Sequence, residues 1–137
     1  MILEDIMAYI EWSGLNRVYC SSSSDVLTVL NEAKAQKVQD LYRLWSGKNR
    51  LELQLDFVRN LFRPQIVIDG QDSRYYYNPE APLKMVDFLD GYDGADILTS
   101  DFDLILSMVK EFYVTGDVKS LVPQEQFPEM PDDEDED

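Results

Sequence analysis

The 137-residue chain has no histidine, a single cysteine, and twelve lysine and arginine residues against twenty-seven acids. Without histidine, no Ser–His or Cys–His pair exists to activate a nucleophile. The run Ser21 to Ser24 is embedded in no G-x-S-x-G elbow, so it reads as a loop in which Ser24 N-caps the next helix. One cysteine, Cys20, allows no internal disulfide and fits a reducing compartment. The N-terminus, Met1-Ile2-Leu3-Glu4-Asp5, carries acids where a signal peptide needs bases. No apolar run approaches the ~20 residues that span a bilayer. Tyr42 to Asn49 ends in Gly-Lys, but tyrosine replaces the first glycine of a phosphate loop and asparagine its magnesium-binding Ser/Thr. Scarcity of bases excludes direct binding to nucleic acid or anionic membrane, because phosphate contacts need a Lys/Arg surface. The expectations are a cytoplasmic, non-catalytic protein (host cytoplasm or virion if viral) with no cofactor.

What the chain does have is charge, unevenly placed. Residues 1–63 carry eight acids and eight bases, so the whole excess of −15 lies in residues 64–137. Residues 34–63 are locally basic, with seven bases against three acids. Residues 121–137 hold eight acids and no base. At 45% hydrophobic and 12% aromatic, the chain as a whole is rich enough to bury a core. The expected organisation is one compact domain over 1–120 and an acidic, proline-containing tail over 121–137.

Periodicity predicts an α+β, mainly α-helical fold of about five helices packed with one β-hairpin. Helices are expected over 2–12, 25–46, 50–62, 82–90 and 100–114, with the hairpin at about 65–77 and a short extended piece at 17–20. The stretch 50–62 fits two patterns. Leu51, Leu53, Leu55 and Phe57 alternate like a strand, whereas Leu51, Leu55, Val58 and Phe62 form a helical stripe. The stripe runs the full length, so helix is preferred, ended by Pro64. In the last helix, Ser100 is expected as N-cap, Phe102, Ile105, Leu106, Val109, Phe112 and Tyr113 on the buried face, and Gly116 as the stop.

The candidate contact residues follow from the acids. Asp87, Asp90, Asp93 and Asp96 recur every third residue, followed by Asp101 and Asp103. An EF-hand register with Gly94 at position six puts Leu89 at position one and Ser100 at position twelve, so the motif fails and no metal is expected. Nothing in the spacing selects a carboxylate pair for glycoside cleavage. Tyr76 is expected on the rim, opposite Tyr75 and Tyr77. Asp132, Asp133, Glu134, Asp135, Glu136 and Asp137 complete the set.

Such a surface suits a basic protein partner, including a nucleic-acid-binding protein whose cleft the acids would fill as a decoy. In composition and acidic terminus the chain is similar to small phage proteins that inhibit restriction or CRISPR enzymes, or polymerases, by mimicking DNA. The alternative is a viral structural or assembly protein, a head–tail adaptor or tail-assembly chaperone. It would self-associate as a homo-oligomer through its basic 34–63 segment and its acidic C-terminal half, or dock on a larger assembly.

Overall fold

The computed structural model describes residues 8–124. In chain order these are β1 (Ala8–Trp12), β2 (Asn16–Cys20), α1 (Ser23–Ala35), β3 (Gln39–Ser46), β4 (Asn49–Asp56), β5 (Leu61–Ile68), β6 (Asp72–Tyr75), β7 (Met85–Phe88), β8 (Gly91–Gly94) and α2 (Phe102–Thr115). A 3-10 turn at Ala95–Ile97 joins β8 to α2. Six strands form one antiparallel sheet in the order β2-β1-β3-β4-β5-β6, and β7 and β8 pair separately. The fold is therefore mainly β, with two helices among the described residues, and not the five-helix arrangement expected from periodicity.

The error has one physical source. Stripes at i, i+4 and i+7 overlap with alternation when apolar residues are dense, and a neighbouring strand then decides. In β4, Leu51, Leu53 and Leu55 are fully buried, while Glu52 and Gln54 face the other way. Val58, needed by the helical stripe, lies in the turn and is 61% exposed. Expected helix 25–46 stops at Ala35: Lys37 takes a left-handed φ of 54°, and residues 39–46 then pair with both β1 and β4. Its N-cap is Ser22 rather than Ser24. The carboxylate of Asp25 accepts from the Ser21 amide at 2.9 Å and the Ser21 hydroxyl at 3.1 Å. Of expected helix 2–12, residues 8–12 are β1, and the remainder lies outside the described residues. Expected helix 82–90 is β7 and the turn after it.

Pro64 sits within β5 without ending it. Phe62 exchanges both backbone hydrogen bonds with Thr99, and the Pro64 carbonyl accepts from the Tyr76 amide at 3.3 Å. Even-numbered residues of β5 thus turn their polar backbone groups away from β4. The missing donor of Pro64 falls between the Thr99 bridge and the β6 ladder, which ends at Gln65.

Three local readings agree with the structure. β2 covers the expected extended piece, β5 and β6 form the expected hairpin, and α2 occupies Phe102–Thr115. Its N-cap is Asp101 instead of Ser100, with the carboxylate accepting from the Leu104 amide at 3.1 Å. Gly116 closes it at φ 77°.

Both helices cover one face of the sheet. Val26, Leu30 and Ala33 of α1 and Ile105, Val109 and Phe112 of α2 meet Ile10, Leu44, Leu51, Leu53, Phe62 and Ile66. Phe57, Phe62 and Phe102 form an aromatic knot with centroids 5.1–5.7 Å apart at the β4–β5 turn. Full burial of Phe62 stabilises by roughly 1.5–3 kcal/mol. Leu121 is 2% exposed and Val122 exchanges two hydrogen bonds with Tyr75, so these residues belong to the folded body.

The opposite sheet face carries a row of alternating charge. Register places Arg17, Glu11, Arg43 and Glu52 side by side on β2, β1, β3 and β4. Arg17 contacts Glu11 at 3.2 Å, and Arg43 contacts Glu52 at 3.0 Å. Arg50 also reaches Glu52, at 2.9 Å, and the Trp45 indole donates to Glu11 at 2.7 Å.

Candidate functional site

The segment in which the sequence places its acids begins with the β7–β8 hairpin. Alternation in β7 turns Val86 and Phe88 toward the body and Met85 and Asp87 outward. Cross-strand pairing sets Tyr92 opposite Asp87, so Met85, Asp87 and Tyr92 share the outer face. Met85 is 53% exposed and Tyr92 72%. Asp90 stands exposed at the tip.

That tip is held by Asp56, the last residue of β4, which is fully buried. Its carboxylate accepts from the Leu89 amide at 2.8 Å, the Arg59 amide at 3.1 Å, the Val58 amide at 3.2 Å, the Arg59 guanidinium at 2.9 Å and the Gln39 side chain at 3.1 Å. Burial, the largest influence, pushes the Asp56 carboxyl up. The bonds from Leu89, Arg59 and Gln39 more than offset this and hold it below the ordinary carboxylate value. Leu89 adopts a left-handed φ of 53°, an uncommon conformation for a branched residue. Its amide bound to Asp56, and its carbonyl accepting from Arg59 at 3.2 Å, keep it there.

The expected acidic array resolves into separate roles. Asp87 and Asp90 are exposed. Asp93 turns inward and pairs with Arg63 at 3.0 Å. Asp96 is 3% exposed, within the 3-10 turn. Asp101 caps α2, and Asp103 is exposed in its first turn. The Asn60 side chain donates to the Ser100 carbonyl at 3.4 Å and neighbouring Arg59 reaches Leu89, which brings the start of α2 and the hairpin tip to the same β4–β5 turn. Exposed Asp87, Asp90, Asp101 and Asp103 thus lie on segments tied to that turn and form an acidic pole, in which Arg59 lines a shallow depression with Asp87, Asp90 and Tyr92.

Tyr76 packs against the core rather than standing on the rim, while Arg63 lies over the Tyr75 ring at 5.5 Å. Asp132, Asp133, Glu134, Asp135, Glu136 and Asp137 lie outside the described residues. The four arginines of the basic segment 34–63 are paired: Arg43 and Arg50 share Glu52, Arg59 contacts Asp56, and Arg63 contacts Asp93. Among the described residues, no three His, Cys, Asp or Glu side chains are placed to hold a metal ion, and no helix is long and apolar enough to cross a membrane.

That Met85 and Tyr92 share an exposed face is hidden when 82–90 is read as a helix. The usable signal is the alternation Met-Val-Asp-Phe, followed after two residues by Gly-Tyr-Asp-Gly.

A protein-family profile described as a family of unknown function, DUF6911, matches residues 51–122, more than half of the chain. The matched stretch runs from β4 through the hairpin and α2. No curated protein matches the sequence. A crystal structure of a hypothetical protein from Neisseria gonorrhoeae is similar in fold, with a TM-score of 0.57 at 9% identity. The alignment covers 86% of this chain and 91% of that one.

Proposed function

The chain belongs to the DUF6911 family of unknown function, and we propose that it is a non-catalytic protein-interaction module acting through its acidic pole. The observation that carries this reading is the outer face of the β7–β8 hairpin, where Met85 and Tyr92 stand in water beside Asp87. An apolar anchor rimmed by charge is the usual anatomy of a contact surface. Tyrosine supplies much of the binding energy at such places. The complement is an apolar depression edged by lysine or arginine. A net charge of −15 would speed encounter with such a partner and make it salt-sensitive. A nucleic-acid-binding protein is one partner of this chemistry. The decoy surface on this reading is the compact pole, because Asp93 and Asp96 turn inward and leave no continuous ladder of acids. Self-assembly by head-to-tail charge pairing is less favoured, since all four arginines of segment 34–63 are already paired. The free thiol of Cys20 supports a cytoplasmic setting.

The test places a photo-crosslinking amino acid at Tyr92 and, as control, at exposed Thr28 on α1. A discrete adduct at position 92, absent at 28 and reduced by Asp87→Asn with Asp90→Asn, is the expected result. Its displacement by duplex DNA would identify the decoy form. Identical adduct patterns at both positions, or none at 92, would refute docking through the hairpin.

A further inference from the structure

A second feature lies beside the junction of α1 and β3. A cavity of about 310 Å³ opens between α1 and the turn joining β1 to β2. Trp12 and Tyr42 form its aromatic wall, their rings stacked with centroids 5.2 Å apart and planes 18° from parallel. Val29 and Ala33 of α1 add apolar surface, and Glu32 and Asp40 supply two carboxylates.

Three observations define what this cavity lacks. First, neither carboxylate forms an ion pair among the described residues. Glu32 accepts from the Gln36 side chain at 3.1 Å, and Asp40 accepts from the Ser13 hydroxyl and the Leu41 amide, all neutral donors. Elsewhere, Glu11, Glu52, Asp56, Asp72, Asp93 and Asp117 each face an arginine. Second, Tyr42 is 3% exposed, so its phenol is held almost entirely out of bulk water. Burial first, then the charges of Asp40 and Glu32, push that phenol up to about 12, so it stays a neutral hydroxyl in the field of both carboxylates. Third, a hard metal ion prefers six or more oxygen ligands. Two carboxylates against indole and aliphatic carbon suit a larger, softer cation.

We propose that this cavity is a binding site for a small organic cation, an ammonium or guanidinium group seated against the Trp12–Tyr42 wall and neutralised by Glu32 and Asp40. Its volume suits a compact ligand or the end of one long side chain. The cation is either a free amine or a lysine or arginine presented by a polypeptide, and the chemistry is the same for both.

The experiment uses the full chain and follows the Trp12 indole N–H by NMR during titration. Trp45, on the opposite sheet face, is the internal control. The probes are benzylammonium, N-acetyl-lysine N-methylamide and neutral benzyl alcohol. At least one cation should shift Trp12, leave Trp45 unmoved, and bind with a Kd near 1 mM or tighter. The tighter of the two cations identifies the source as a free amine or a polypeptide side chain. Glu32→Gln, on an exposed helix position, should weaken binding about five- to tenfold, and the double variant Glu32→Gln/Asp40→Asn should abolish it. Equal binding of benzyl alcohol would make this an apolar cleft and overturn the proposal. So would absence of binding by both cations, or an unchanged Kd for Glu32→Gln.

Discussion

Asp56 gives the most demanding test of how the hairpin is held. Replacing it with alanine leaves the Leu89 and Arg59 amides without an acceptor and the Arg59 guanidinium without its partner. Each buried donor left unsatisfied costs about 1–3 kcal/mol. Water reaches some of them once the carboxylate is gone, so about 3–5 kcal/mol is expected in total. That is a large fraction of the roughly 5–15 kcal/mol that holds a domain together. Asparagine preserves the volume but offers one acceptor oxygen in place of two and points an amino group at the donors. A loss of about 2–4 kcal/mol is expected for Asp56→Asn. Urea unfolding followed by circular dichroism at pH 7 measures both, with exposed Asp90→Asn as a control that should stay within about 0.5 kcal/mol of wild type.

The pH dependence separates a charge effect from lost packing. Asp56 is held below its ordinary value, so its contribution is complete above the unfolded-state pKa of about 3.9. It fades as pH falls through the lower folded value. The stability gap between wild type and Asp56→Asn should stay constant from pH 7 to about pH 5 and begin to close below about pH 4. A gap under about 1 kcal/mol at pH 7 would refute the clamp. A gap unchanged down to pH 3 would show that the charge is not its cause.

Two further outcomes follow from single residues. Cys20 is 1% exposed, and burial, reinforced by the Asp25 carboxylate, pushes its thiol up to about 11. It should resist a thiol-specific disulfide reagent at pH 8 and react once guanidinium unfolds the chain; rapid native reaction would contradict its burial. Gly116 has φ 77°, and an added Cβ would lie 3.4 Å from the Asn49 side-chain nitrogen, which donates to the Gly116 carbonyl at 2.9 Å. Gly116→Ala should cost about 1–2 kcal/mol, seen as a Tm lower by roughly 3–10 °C, and an unchanged Tm would show that the backbone relaxes there freely.

The sequence by itself determined whatever depends on local chemistry or on counting. Absence of histidine removed the common nucleophile–base pairs, and the partition of charge located the acidic half. The closing glycine of α2, the turn between β5 and β6 and the extended piece at β2 were all readable from neighbours along the chain, whereas the N-cap of α2 fell one residue later than expected, at Asp101. Tertiary structure decided the rest. Leu51, Leu53 and Leu55 suit either period, and only flanking β3 and β5 made them a strand. Asp87, Asp90, Asp93 and Asp96 are equivalent as spacing. Hairpin register turned the first outward and the third toward Arg63, a residue thirty positions away. The cavity beside Trp12 leaves no trace in the sequence, because Trp12, Glu32, Asp40 and Tyr42 come from β1, α1 and β3 and meet only when α1 folds back across the sheet. Side-chain periodicity reports one face of one element, whereas a site is made where faces of several elements meet.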